Sequence, residues 1–262
     1  MRVEHPSPTM PRVFDAHLHI IDPRFPLVAN QGYRPEPFTV ADYRARTRGI
    51  AIVGGAVVSG SFQAFDQAYL LDALQRLGQG FVGVTQLPTT VCDERVIELD
   101  RAGVRAVRLN LHRGAVINGL DRLAWRVAGL AGWHAELYVD ARDLPELALW
   151  LGQLPQLVVD HLGLFQDGLA ALLGLVERGT RVKASGFGRG DLDVPAALRA
   201  ISAANPEALM FGTDLPSTRA PRPFRDTDVE VVLDTLGDDL GRRVLHDNAT
   251  AFYLSRREPL AR

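Results

Sequence analysis

Eight times along this chain a short run of β-favouring, mostly apolar residues gives way to a stretch with helical spacing. The runs fall at 13–17, 50–58, 81–86, 105–110, 135–139, 157–161, 181–185 and 209–214. Helical patterns occupy 64–77, 93–102, 120–129, 144–151, 168–178, 195–204 and 226–236, and a further helical segment covers 241–257. Runs that are apolar on both faces suit parallel strands buried on both sides. Strict strand–helix alternation then implies right-handed crossovers. A chain of 262 residues matches the roughly 250 residues of a closed (β/α)8 barrel. An open doubly wound sheet fits less well. No G-x-G-x-x-G follows the first run, and polar residues end nearly every run instead of gathering at one switch point. The expected fold is therefore α/β, a single-domain (β/α)8 TIM barrel over 12–262, preceded by a loose leader at 1–11.

Composition narrows the function. A net charge of -2 and a pI near 6.4 give no basic footprint for nucleic acid or an anionic membrane. No run approaches the roughly 18 uninterrupted apolar residues of a membrane span. One cysteine, Cys92, permits no internal disulfide, so a reducing cytoplasm is the expected compartment. A small-molecule partner is expected, and a homodimer stays open as the assembly. Positive charge is almost all arginine, which suits forked recognition of carboxylates, although GC-rich codon usage gives the same composition.

In such a barrel chemistry sits at the C-terminal strand ends. The first run ends in Asp15-Ala16-His17-Leu18-His19, which puts His17 and His19 on one face, able to bind a metal or to stabilise an oxyanion. Run six ends at His161, which alone reads as a hydrogen-bonded core histidine; as a third histidine on the same layer it joins the candidates. Run eight ends in Gly212-Thr213-Asp214, where the carboxylate can be a general base, a metal ligand or a helix-capping turn residue. Arg108 on run four is buried enough to need a counter-charge, supplied by a substrate carboxylate or by Asp140 or Asp160. Tyr138 reads as a ligand or as a packed rim aromatic. Arg113, Arg219 and Arg222 are further candidates.

The segments FDAHLHIIDPRFPL, GVRAVRLNL, GWHAELYVDARDLPEL, VVDHLG, VKASGFGR, FGTDLP and LHDNATAFY resemble those of the amidohydrolase superfamily. Within it they are similar to the amidohydrolase-2 group, nearest to 2-pyrone-4,6-dicarboxylate lactonases and related sugar-acid and muconolactone lactonases. The resemblance implies a lactone-opening hydrolase of aromatic catabolism. Asp214 would activate water, with His17, His19 and His161 around the scissile carbonyl. Arg108 and Arg189 would bind substrate carboxylates, Tyr138 would hydrogen-bond to the substrate, and Ser59 or Ser61 would supply a small polar contact. The strand-four lysine of binuclear members is replaced by Arg108, so a binuclear centre is not expected. The likeness implies either no cofactor or one zinc or manganese held by His17, His19 and Asp214, with the metal-free form favoured. The lactonase group often has Trp-Pro-His after the last-strand aspartate; here the chain reads Asp214-Leu215-Pro216-Ser217. The alternatives are a mononuclear metal-dependent amidohydrolase or decarboxylase of a small carboxylated metabolite, a lactone isomerase, and a barrel that binds a metabolite without turning it over.

Overall fold

The computed structural model describes residues 11–255. The leader, apart from Pro11, and the last residues of the expected 241–257 helix lie outside them. Eight strands run parallel and pair in chain order: β1 Arg12–Leu18, β2 Ala51–Val58, β3 Phe81–Thr85, β4 Val104–Leu109, β5 His134–Leu137, β6 Leu157–Val159, β7 Arg181–Ala184 and β8 Leu209–Phe211. The helices are α1 Val40–Arg46, α2 Ala68–Leu77, α3 Asp93–Arg101, α4 Leu120–Ala131, α5 Leu144–Leu151, α6 Leu169–Val176, α7 Val194–Ala204, α8 Thr227–Arg242 and α9 Asn248–Leu254. Side chains alternate along each strand. Phe14, Ala56, Val58, Val82, Val84, Ala106, Val158 and Met210 form one buried cluster inside the barrel. Val13, Val57, Val107, Leu109, Leu137, Val159 and Leu209 join the larger cluster beneath the helices. Among the described residues no helix is long and apolar enough to cross a membrane.

β1 and β8 meet through side chain and loop contacts. Asp15 accepts hydrogen bonds from the Thr213 amide at 2.8 Å, the Thr213 hydroxyl at 2.7 Å and the Tyr43 hydroxyl at 2.9 Å. The Asp214 amide donates to the His17 carbonyl and the His19 amide to the Leu215 carbonyl, each at 2.7 Å. A Cβ at Gly212 would stand 2.7 Å from the His17 nitrogen, so glycine is what lets the last strand approach the first so closely. This seam carries both His17 and Asp214, and closing the barrel therefore assembles part of the site.

The lower interior is ionic. Lys183 and Glu136, both fully buried, form a close ion pair. Glu136 also contacts His134 at 3.1 Å and accepts a short hydrogen bond from Tyr253. Tyr253 stacks on Phe14 at 5.6 Å, so α9 covers the N-terminal mouth.

Three local features differ from the sequence reading. Helix α1 lies in the segment after the first run, where no helical pattern was read. It is only seven residues long and follows a Pro-rich stretch, but a capping box between Thr39 and Asp42 starts it. The last helices, expected at 226–236 and 241–257, run on into one another from 227 to 254, with a break at Gly237 (φ 73°) inside α8 and a π-helical turn at Arg243–Asp247 before α9. Strands β6 and β8 stop two and three residues short of the ends expected for them. The chain turns sharply instead, with His161 at φ 54° and Asp214 at φ 60°. Such left-handed backbone is uncommon for residues with a Cβ and clusters at functional sites.

Candidate active site

The Asp214 carboxylate is the focus of the rim. Its Oδ1 lies 3.9 Å from His17 Nε2, 3.7 Å from His19 Nε2 and 3.9 Å from His161 Nε2. Two strand ends, those of β1 and β6, thus aim three imidazole nitrogens at one oxygen. Arg189, on the loop after β7, grips the same carboxylate as a fork, Nε to Oδ2 at 2.6 Å and Nη2 to Oδ1 at 2.9 Å. Burial alone would raise the Asp214 carboxyl. The charge of Arg189 and its two hydrogen bonds outweigh it and hold the group well below the usual carboxylate range.

Each imidazole is oriented by a second partner. His19 Nδ1 lies 2.7 Å from the Val58 carbonyl oxygen. A carbonyl only accepts, so Nδ1 carries the proton and Nε2 presents a lone pair. His161 Nδ1 lies 3.0 Å from the Ser185 hydroxyl. His17 Nδ1 lies 3.3 Å from Asp160 Oδ1 and 3.5 Å from Lys183 Nζ. The carboxylate is nearer and Lys183 is engaged by Glu136, so the proton belongs on Nδ1. His17 Nε2 is then a buried lone pair, and it has no hydrogen-bond partner among the described residues. Burial drives His17 down to about 3, against the opposing pull of Asp160. It likewise lowers His19 and His161. All three rings are neutral at physiological pH.

The arginines divide. Arg108 donates to Asp160 through Nε at 3.2 Å and Nη2 at 2.9 Å, and to the Ser59 carbonyl at 2.7 Å. The intramolecular partner weighed for it, Asp160, is thus the one realised, although Arg108 also reaches a cavity wall. Arg189 is engaged by Asp214 in place of the substrate carboxylate expected for it. Arg219 donates to the Asn30 carbonyl and Gln31, and Arg222 pairs with Asp228 at 3.1 Å. Arg113 lies over the Tyr138 ring at 5.7 Å, and among the described residues it makes no ion pair. Tyr138 also stacks edge-on to His161 at 5.1 Å and carries Arg108 over its face at 5.3 Å.

A cavity of about 30 Å³ opens over this cluster, lined in part by His19, His161, Tyr138, Arg108, Arg113 and Arg189. Asp214, 1% exposed, sits behind Arg189. Ser61 is on the cavity wall. Ser59 is not, because its hydroxyl turns inward to the Tyr69 hydroxyl at 2.6 Å. Asp160, weighed from the sequence as a partner for Arg108, also faces His17, a role not anticipated for it, and its signal was the acidic residue beside His161. Asn110 was not anticipated as a wall residue: it lines the cavity, and its Oδ1 is a buried acceptor with no partner among the described residues; its place two residues after Arg108 on a strand end was the available clue.

His17, His19 and Asp214 offer ligand atoms lying within 4.8 Å of one another, as do His17, Asp160 and His161. The unpartnered His17 Nε2 fits the first set to a single divalent ion.

Fold and site together define a (β/α)8 barrel with a polar cluster on its C-terminal rim, built from β1, β6 and the turn after β8. The chain belongs to the amidohydrolase family, whose model matches residues 14–254. It is 33% identical over 156 residues to a 2-pyrone-4,6-dicarboxylate hydrolase of Comamonas testosteroni, a match covering 57% of this chain and about half (51%) of that relative. It is 28% identical to a D-galactarolactone isomerase of Agrobacterium fabrum over 95% of this chain and 93% of the relative. Among solved structures, one from Agrobacterium tumefaciens, determined without ligand, superposes with a TM-score of 0.81 at 25% identity over 98% of this chain and all of the other. A Pseudomonas putida protein named for 2-pyrone-4,6-dicarboxylic acid hydrolysis superposes at 0.79 with 29% identity, over 94% of this chain and 98% of its own.

Proposed function

We propose that this protein hydrolyses a carboxylated lactone. The observation that carries the reading is the convergence of three neutral, buried imidazole nitrogens and one arginine fork on the Asp214 carboxylate. Asp214 takes a proton from water, and the hydroxide adds to the lactone carbonyl carbon. Charge on the former carbonyl oxygen is stabilised by cationic and hydrogen-bonding groups of the rim in a site shielded from water. The ring C–O bond then breaks, and the proton held by Asp214 passes to the leaving oxygen. Arg113 anchors a substrate carboxylate. Arg189 can serve a second one only by letting go of Asp214, an exchange that uncovers the base.

His17, His19 and Asp214 could hold one zinc or manganese ion, which when bound would polarise the carbonyl. The metal-free arrangement is favoured here because Arg189 already neutralises Asp214 with both carboxylate oxygens engaged. A dication there would have to share that carboxylate with a guanidinium. Lactones are also easier to open than amides and demand less polarisation.

One observation supports a second reading. The isomerase relative matches 95% of this chain, and the same groups could take the proton from a free hydroxyl as it attacks the lactone carbonyl and return it to the ring oxygen as that C–O bond breaks, so that the acyl group changes hydroxyls without water adding. Acid release from a panel of carboxylated lactones, followed at constant pH, tests the first reading. Wild type should consume base, and Asp214→Asn should lower the rate about 100- to 10,000-fold, the usual range for a lost general base. Equal rates for the two would remove Asp214 from the mechanism.

A further inference from the structure

The rim carries more room than the proposed chemistry uses. The cavity over the reacting groups, about 30 Å³, has space for little more than a carbonyl group and a water. Beside it, between the loops after β2, β3 and β4, lies a second cavity of about 450 Å³. Pockets for whole small molecules run from about 300 to 1,000 Å³. The two adjoin and share Ser61, Arg108, Asn110 and Arg113 as wall.

The wall of the larger chamber is mixed. Besides the polar junction of those four residues and Asn30, Gln86 and Thr89, it takes in Phe65, Leu87, Pro88, Ala115, Val116 and Leu120. Phe65 is 56% exposed and Val116 75% exposed. A single exposed apolar side chain needs no explanation. Two from separate loops on the wall of one chamber, above a buried Leu87, form an apolar surface with a purpose. A carboxylate held by Arg113 at the junction would leave anything attached to the far side of the lactone ring pointing into this chamber.

We propose that the chamber is a second substrate subsite, and that the substrate is a carboxylated lactone bearing an apolar, alkyl or aryl, substituent. The inference rests on the lactone reading for the ring and on the cavity alone for the substituent. A small dicarboxylate would leave the chamber filled with water against apolar walls. A substituent of four to six carbons would replace that water and cover Phe65 and Val116.

The test is a series of 2-pyrone-6-carboxylates carrying hydrogen, ethyl, butyl or phenyl at ring position 4. KM is measured for turnover and Kd is measured by calorimetry, in wild type, Ala115→Trp and Val116→Asp. Both substitutions are at exposed positions, and thermal melts check the fold. In wild type, KM and Kd should fall about twofold to fourfold for each added methylene, as expected for apolar burial. Ala115→Trp fills the chamber and Val116→Asp makes its wall polar, so both should flatten that dependence. Affinity that is unchanged or weaker with butyl and phenyl overturns the subsite while leaving hydrolysis of the parent compound standing. Tighter binding along the series with no ring opening overturns the hydrolase reading and keeps the subsite. Absence of binding by every member overturns both.

Discussion

Arg189 holds Asp214 by both carboxylate oxygens, at 2.6 and 2.9 Å, and stands between it and the cavity. A base so gripped is a poor base, and a substrate carboxylate is the natural competitor for the guanidinium. Arg189→Met should therefore separate two substrate types. On a carboxylated lactone kcat/KM should fall about 100-fold, the scale of one lost charge-assisted fork. On an uncharged lactone such as dihydrocoumarin it should rise above wild type, because Asp214 is released. Equal losses on both would show that Arg189 only supports the fold.

Asp160 joins the site to the barrel floor. It touches His17, Arg108 and Lys183, at 3.3, 2.9 and 3.6 Å for the nearest atoms. Asp160→Asn keeps the shape and removes the charge, leaving two buried cations short of a counter-ion. Loss of one partner from a buried pair costs about 3–5 kcal/mol. In a chain of this size that lowers the melting temperature by about 10 °C. Turnover should fall as well, since His17 loses the group that fixes its proton on Nδ1. A melting temperature within a degree of wild type would contradict the role given to this carboxylate.

Stability should fall as the solution is acidified. His17 sits at about 3 in the fold against an ordinary 6.5, and His19 and His161 are also lowered by burial. The unfolded chain therefore takes up protons first, and stability present above pH 6.5 is lost as pH falls towards the folded values. Asp15 acts oppositely. Burial pushes it up to about 6 from 3.8, so the folded state holds its proton between those values and gains stability as pH falls through that window. The lowered histidines outnumber the one opposing aspartate, so unfolding takes up protons in this range. Denaturant titrations between pH 6.5 and 4.5 measure the uptake, and His17→Asn should reduce it by about one proton. A flat profile would mean the imidazoles are charged in the fold.

How much of this was legible in the sequence follows from what each signal depends on. The strand runs showed because burial on both faces makes them apolar, and the rim residues showed because polar groups ended those runs. Helix α1 did not show, being too short to establish a helical period. Arg189 and Asp214 were both identifiable, yet their pairing was not. It depends on where the loop after β7 folds back over the turn after β8, which no local pattern encodes. Ser59 and Ser61 were indistinguishable until the turn after β2 sent one hydroxyl inward to Tyr69 and left the other on the cavity wall.

Metal content separates the two forms of the site. Protein purified without chelator should contain well under one equivalent of zinc or manganese, and incubation with a chelator should leave both melting temperature and lactone turnover unchanged. One tightly held equivalent, with a melting temperature that drops when it is stripped, would assign His17, His19 and Asp214 as ligands.

Labelled water tests the central claim most directly. A carboxylated lactone is incubated with the enzyme in H2 18O, and the product is read by mass spectrometry. Hydrolysis through Asp214-activated water predicts a ring-opened acid carrying one 18O in the new carboxylate, formed at least about 100-fold more slowly by Asp214→Asn. A product that is still a lactone, with its ring closed at a different hydroxyl and no 18O, would contradict it.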